Sequence, residues 1–202
     1  NTMLKAHESA SHPKFELPLS PSDGVGMFGP GRFAMIIDGE SLHHALRMIG
    51  TDIDYRKLLG MFFGQSFLVS ATYHAIAPSG EQTGRRALLD WLEYNGYRVR
   101  EKRGRFTARS AGRGAQEEGV SLEMAVDALD ITPRIDNLVL FSGDGDLAPV
   151  VRAVQRKGIC VSAVSTLASK PPLIADRLRR QVDRFFDLRD LMPHLHLQRN
   201  ES

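Results

Sequence analysis

Five short apolar or alternating runs recur along this chain, each parted from the next by a stretch with helical spacing, and no other feature narrows the fold so far. The runs are "FAMII" at 33–37, "SFLVSATYHAIA" at 66–77, "YRVREKR" at 97–103, "DNLVLFS" at 136–142 and "ICVSAVS" at 159–165. The first is apolar at every position, which suits a strand covered on both faces. "SLHHALRMIG" carries Leu42, Ala45, Leu46 and Ile49 on one side and stops at Gly50. "DYRKLLGMFF" reads as a shorter helix, and "TGRRALLDWLEYNG" as one ended by Asn95-Gly96. "EGVSLEMAVDALDI" and "DLAPVVRAVQRKG" are further helices, and "PPLIADRLRRQVDRFFDL" closes with a helix and a short extended segment. Strands and helices alternating at this spacing predict βα units. The expected fold is a three-layer α/β/α arrangement around a mostly parallel sheet of about five strands.

At 202 residues the chain can bury one substantial core. Residues 1–31, rich in Pro, Gly and Ser, are expected to form a flexible N-terminal tail, with the domain over 32–190 and a C-terminal tail over 191–202. The formal charge is only +2, so a case for nucleic acid rests on local clusters. The single cysteine, Cys160, excludes an intrachain disulfide and a cysteine zinc site, and its strand setting reads as packing. No apolar run approaches the roughly 18–20 residues of a membrane span. With no signal-peptide pattern at the start, a cytoplasmic location is expected.

In parallel sheets of this kind, ligands bind beyond the carboxyl ends of the strands, at the switch point in strand order. "LVLFSGDGDLAPVV" therefore draws the eye, because Asp144 and Asp146 follow a strand end directly. Asp38 follows the end of "FAMIID" and reaches the same rim. Turn chemistry accounts for one Asp at each strand end, and Asp146 can serve as the N-cap of the helix that starts near Leu147. It gives no reason for Asp144 and Asp146 together. Clustered carboxylates repel unless a cation offsets them, and an all-oxygen set favours Mg²⁺ or Mn²⁺. In "EEGVSLEMAVDALDI", Glu123 and Asp127 share a helix face, and Asp127 stands among apolar neighbours, where a carboxylate needs a partner.

"FAMIIDGESL", "EEGVSLEMAVDAL" and "LVLFSGDGDLAPVVRAVQRKGICVSAVS" together resemble the NYN-domain family, in its LabA-like branch, over roughly residues 32–190. The resemblance implies a PIN-like fold and a metal-dependent ribonuclease site of converging aspartates. It makes Asp38, Asp144 and Asp146 the ligands of Mg²⁺ or Mn²⁺, with Asp127 completing the catalytic set. Two positions depart from the family pattern. Ser41 stands where Asn is usual, and Ser121 stands where an Asp of the acidic site is usual, so this site is expected to hold its metal less tightly.

Residues 98–113, "RVREKRGRFTARSAGR", carry seven Arg or Lys against one Glu. Lys102, Arg103 and Arg105, with Arg85 and Arg86 of the preceding helix, form the expected RNA-binding path, and Phe106 offers a stacking face. The arginines of the closing helix, Arg177 among them, read as a solvated face. His43 and His44 lie one turn past Asp38 and read as ordinary helix residues. There is no nucleophile elbow, P-loop or Gly-x-Gly-x-x-Gly. The expected function is a metal-dependent endoribonuclease acting on single-stranded RNA, with a homodimer left open. The alternative is a catalytically weakened or inactive RNA-binding or regulatory NYN module, and a phosphatase or DNA nuclease ranks third.

Overall fold

A computed structural model describes residues 30–61, 66–77, 83–102 and 120–195 of the chain. Among these residues, six strands form one sheet: β1 (Gly31–Asp38), β2 (Ser66–Ile76), β3 (Arg98–Lys102), β4 (Asn137–Phe141), β5 (Cys160–Ser165) and β6 (Arg184–Asp187). Every pairing is parallel and the order is β3-β2-β1-β4-β5-β6. The sheet thus has one strand more than expected. The sixth is the extended segment "RFFD" after the closing helix, whose Phe186 and Asp187 are buried on the edge of the sheet. The chain leaves β1 toward one edge, then returns to β1's other side at β4. The switch point lies between β1 and β4.

Among the described residues, seven α-helices cover the two faces: α1 (Gly39–Ile49), α2 (Tyr55–Gly60), α3 (Thr83–Tyr94), α4 (Ser121–Ile131), α5 (Ala148–Gln155), α6 (Asp176–Gln181) and α7 (Leu188–Leu195). Phe33, Met35 and Ile37 of β1 face a core shared with α1, α2, α3 and α7, through residues such as Leu46, Leu58, Leu92 and Leu195. Ala34 and Ile36 face the other core, shared with α4, α5 and α6 through Met124, Val151 and Leu178. The central strands are apolar on both faces because both faces are covered. Burying each of the larger side chains is worth roughly 1.5–3 kcal/mol. β3, an edge strand, is mostly exposed and charged, a composition that discourages pairing with another chain.

Several boundaries differ from expectation. Of the N-terminal tail, 1–29 lies outside the described residues, and Gly31 already opens β1. Ordered structure continues past 190, because α7 sends Leu191, Met192 and Leu195 into the first core. Residues 196–202, and 103–119 with Arg103, Arg105 and Phe106, lie outside the described residues. No helix among the described residues is long and apolar enough to cross a membrane.

Candidate active site

β1 and β4 end side by side, with Ile37 opposite Phe141, so the residues that follow them share one rim. Asp38 ends β1 and is the N-cap of α1. Its Oδ1 accepts the backbone N–H groups of Glu40 and Ser41, both at 3.1 Å. Its Oδ2 accepts the Ser41 hydroxyl at 2.5 Å and the Ser142 hydroxyl at 3.4 Å. Ser142 is the first residue after β4, and its hydroxyl accepts the Asp144 N–H at 3.1 Å. Asp144 caps the 3₁₀ turn Gly145–Leu147, and its Oδ1 accepts the Asp146 N–H at 2.8 Å. Its Oδ2 takes a short hydrogen bond from the Ser121 hydroxyl at the start of α4. Three chain segments are thus joined through Asp38, Ser142, Asp144 and Ser121. The cap expected at Asp146 is made by Asp144, because a 3₁₀ turn precedes α5 and moves the cap two residues upstream.

The tight loop depends on glycine. A Cβ on Gly143 would collide with the Leu173 carbonyl, and one on Gly145 with the Arg177 side chain. The Ala175 N–H donates to the Gly143 carbonyl at 2.9 Å, so the segment leading into α6 lies directly on "SGDGD".

Asp127 and Asp146, expected to converge with Asp38 and Asp144, point elsewhere. Asp146 is exposed and pairs with the Arg177 guanidinium. Asp127 Oδ2 lies 3.2 Å from His74 Nε2 and 3.7 Å from Arg100 Nε. His74 stands opposite Asp38 on one side and Arg100 on the other, which makes a row across β1, β2 and β3. Only 1% of His74 is exposed, and its Nε2 lacks hydrogen-bond alignment with Asp127. Burial pushes its pKa below the ordinary value, against the pull of Asp127 and Glu123 toward the charged form.

The expected basic residues line the rim already engaged. Arg85 pairs with Glu40, and Lys102 Nζ lies 3.5 Å from Glu123. Arg86 binds Asp90 and Glu101, each at 2.9 Å. His43 and His44 are exposed on α1 and take no part in the network. Sequence reasoning passed over His74, Arg100 as a rim residue, Ser142 and Arg177. A signal was present for the first: His74 stands near the carboxyl end of a strand, the position where parallel sheets place their sites.

Among the described residues, no three or more His, Cys, Asp or Glu side chains are grouped as they would be around a metal ion. The donors that do meet are all oxygens: two carboxylates and three hydroxyls. That set fits a hard divalent cation such as Mg²⁺, which takes one or two carboxylates and keeps several waters. Asp144 accepts one protein donor on each oxygen, leaving lone pairs to share, whereas Asp38 already receives four donors. Two of those four come from hydroxyls, which rotate.

A solved structure of a protein of unknown function from Vibrio parahaemolyticus shares this fold. Its TM-score is 0.66 at 24% identity, with 82% of this chain and 96% of that one covered. The protein "Low amplitude and bright protein LabA" of Synechococcus elongatus is 30% identical over 166 residues, 81% of this chain and 87% of LabA. The NYN domain family model matches residues 32–189, nearly the whole of the described sheet and its helices. This chain therefore belongs to the NYN domain family, a PIN-like group associated with nuclease and RNA-binding function.

Proposed function

We propose that this protein is a Mg²⁺- or Mn²⁺-dependent endoribonuclease that hydrolyses phosphodiester bonds of single-stranded RNA. One observation carries the reading. Asp38 and Asp144, from the two strands that flank the switch point, meet in one network with no ion-pair partner among the described residues, while cationic side chains stand on either side. Asp38 and Asp144 would hold the cation, and Ser41, Ser121 and Ser142 fix the orientation of both carboxylates. A divalent cation in such a site neutralises phosphate charge and lowers the pKa of water. Arg85, Arg100 and Lys102 offer charge-assisted hydrogen bonds to backbone phosphates, with Arg86, Arg103 and Arg105 extending the path. Asp127, which lies beside His74 and Arg100, would turn from them toward Asp38 and Asp144 to orient the attacking water. No side chain need form a covalent intermediate.

The test is cleavage of a labelled single-stranded RNA with EDTA, Mg²⁺ or Mn²⁺, beside Asp144→Ala. Metal-dependent cutting that the variant lacks is the expected result; undiminished cutting by Asp144→Ala overturns the assignment.

A second reading, an RNA-binding or regulatory NYN module with cleavage weakened or lost, draws on the serine contacts. Ser41 and Ser121 fill carboxylate lone pairs that a metal would otherwise use. Ser121→Asp separates the two. A gain in metal affinity and cleavage supports the nuclease, and no gain in either supports the module.

A further inference from the structure

Asp146 is moored at the centre of the site by its backbone and turned away from it by its side chain. Its N–H donates to Asp144 Oδ1 at 2.8 Å, yet its carboxylate goes to Arg177. Both side chains are largely in solvent, 70% exposed for Asp146 and 59% for Arg177. Arg177 does not reach this position by chance of the surface. Its stem lies against Gly145, and Ala175, two residues earlier, packs on the same glycine, where a Cβ would stand 2.9 Å from the Ala175 Cβ. α6 is therefore seated on the "SGDGD" loop with its first-turn arginine over the site. An exposed ion pair of this kind is weak. A guanidinium binds a phosphate with two parallel hydrogen bonds, which is a stronger match. Any turn of the Asp146 carboxylate is a side-chain rotation, because the backbone is already tied to Asp144.

We propose that Arg177 is an exchange residue: it holds Asp146 out of the site in the free protein, and an RNA backbone phosphate takes the guanidinium and releases Asp146 to join Asp38 and Asp144. The proposal rests on the metal-dependent reading above. Arg177 is a positioning residue, since it acts on the site through Asp146. Binding of RNA and of the divalent cation then reinforce each other, by the reciprocity of linked equilibria.

Mn²⁺ binding to the full chain, followed by electron paramagnetic resonance, tests this. Arg177→Gln should bind Mn²⁺ about two- to fivefold more tightly, the range set by a surface ion pair. Adding Asp146→Asn should return the affinity to that of the parent. A 2′-deoxy oligonucleotide, used as an uncleaved phosphate chain, should tighten Mn²⁺ binding to the parent and not to Arg177→Gln. Unchanged or weaker binding in Arg177→Gln, or a gain that survives Asp146→Asn, overturns the exchange. If the parent binds Mn²⁺ and Asp144→Ala does not, the metal reading stands even where the exchange fails. Absence of Mn²⁺ binding in both the parent and Arg177→Gln sinks both together. Circular dichroism confirms folding of each variant.

Discussion

At the amino end of the sheet, Arg32 on β1 grips Asp136 just before β4. At the carboxyl end of the same two strands, Asp38 and Asp144 meet with no guanidinium between them among the described residues. The lower pair is complete. The Arg32 backbone N–H and Nε reach Asp136 Oδ2 at 2.9 and 3.1 Å, and Nη2 reaches Oδ1 at 2.9 Å. Those hydrogen bonds lower the Asp136 pKa to about 2. Among the described residues, the upper pair is oriented by hydroxyls and backbone N–H groups alone. Asp187, at the end of β6, resembles the lower pair. Its burial pulls the pKa up, but hydrogen bonds from Arg189 and Leu167 outweigh that and hold it low. A guanidinium consumes a carboxylate, whereas a hydroxyl aims it and leaves its charge uncancelled. The difference marks which carboxylates tie strands together and which remain free to act.

The sharpest way to break this contrast is to remove one acid from each end. Asp144→Ala should cut RNA cleavage by at least about 100-fold, the upper end of what disrupting a metal's supporting shell costs. Its stability should fall only by what a lost cap costs, about 0.5–2 kcal/mol, with the fold intact. Asp136→Asn should leave cleavage near the parent rate. Equal loss of cleavage in both would erase the distinction between the two ends.

The loop that aims Asp144 offers the next test. Gly143→Ala drives a methyl group into the Leu173 carbonyl, and neither element is a flexible side chain. The expected cost is about 1–3 kcal/mol, as for overpacking elsewhere, read as a lower urea midpoint. Cleavage should fall as well, because the loop shift carries Asp144 with it. Parent-like stability would mean that α6 sits less firmly on the loop than its contacts indicate.

The sheet, its two helical layers and the rim were legible because buried parallel strands write themselves as unbroken apolar runs. Asp38 and Asp144 were legible for the same reason, as polar residues at the ends of such runs. β6 was harder to see, since "RFFD" is four residues long and alternates on a sheet edge. The partners of Asp127 and Asp146 were not legible. Arg177 meets Asp146 across 31 positions of sequence, and His74 meets Asp127 through strand register, so neither pairing leaves a local pattern. Helical spacing in "DRLRRQ" gives Arg177 the look of a solvated face, and only the packing of α6 on Gly145 distinguishes it.

His74 sharpens the comparison in a third way, as a buried base beside the acidic rim. It faces Asp38 from β1, Arg100 from β3, and Glu123 and Asp127 from α4. Its folded pKa lies below the unfolded value near 6.5, so the folded state holds it neutral. Such a group adds stability above pH 6.5 or so, and that stability is lost as pH falls, because the unfolded chain takes up the proton first. Urea midpoints should therefore drop from pH 7.5 to pH 5.5, and the drop should be smaller in His74→Gln. An identical drop in the variant would assign the pH dependence to other groups.

The smallest effect belongs to the lower pair. Asp136 is depressed relative to an unfolded carboxylate near 3.9, so its contribution is present above that pH and fades as pH falls toward about 2. Both partners are half exposed, which exposes the pair to screening by salt and places it among ion pairs of modest worth. Asp136→Asn should thus be slightly less stable than the parent at pH 5 in low salt, and the gap should narrow both at pH 2 and in 1 M NaCl. The backbone bond from Asp136 N–H to the Arg32 carbonyl, at 2.9 Å, survives the substitution and keeps β1 and β4 in register. A gap that persists at pH 2 would mean that asparagine disturbs the shape of the turn as well as its charge, and the lower end of the seam would then depend on geometry as much as the upper end does.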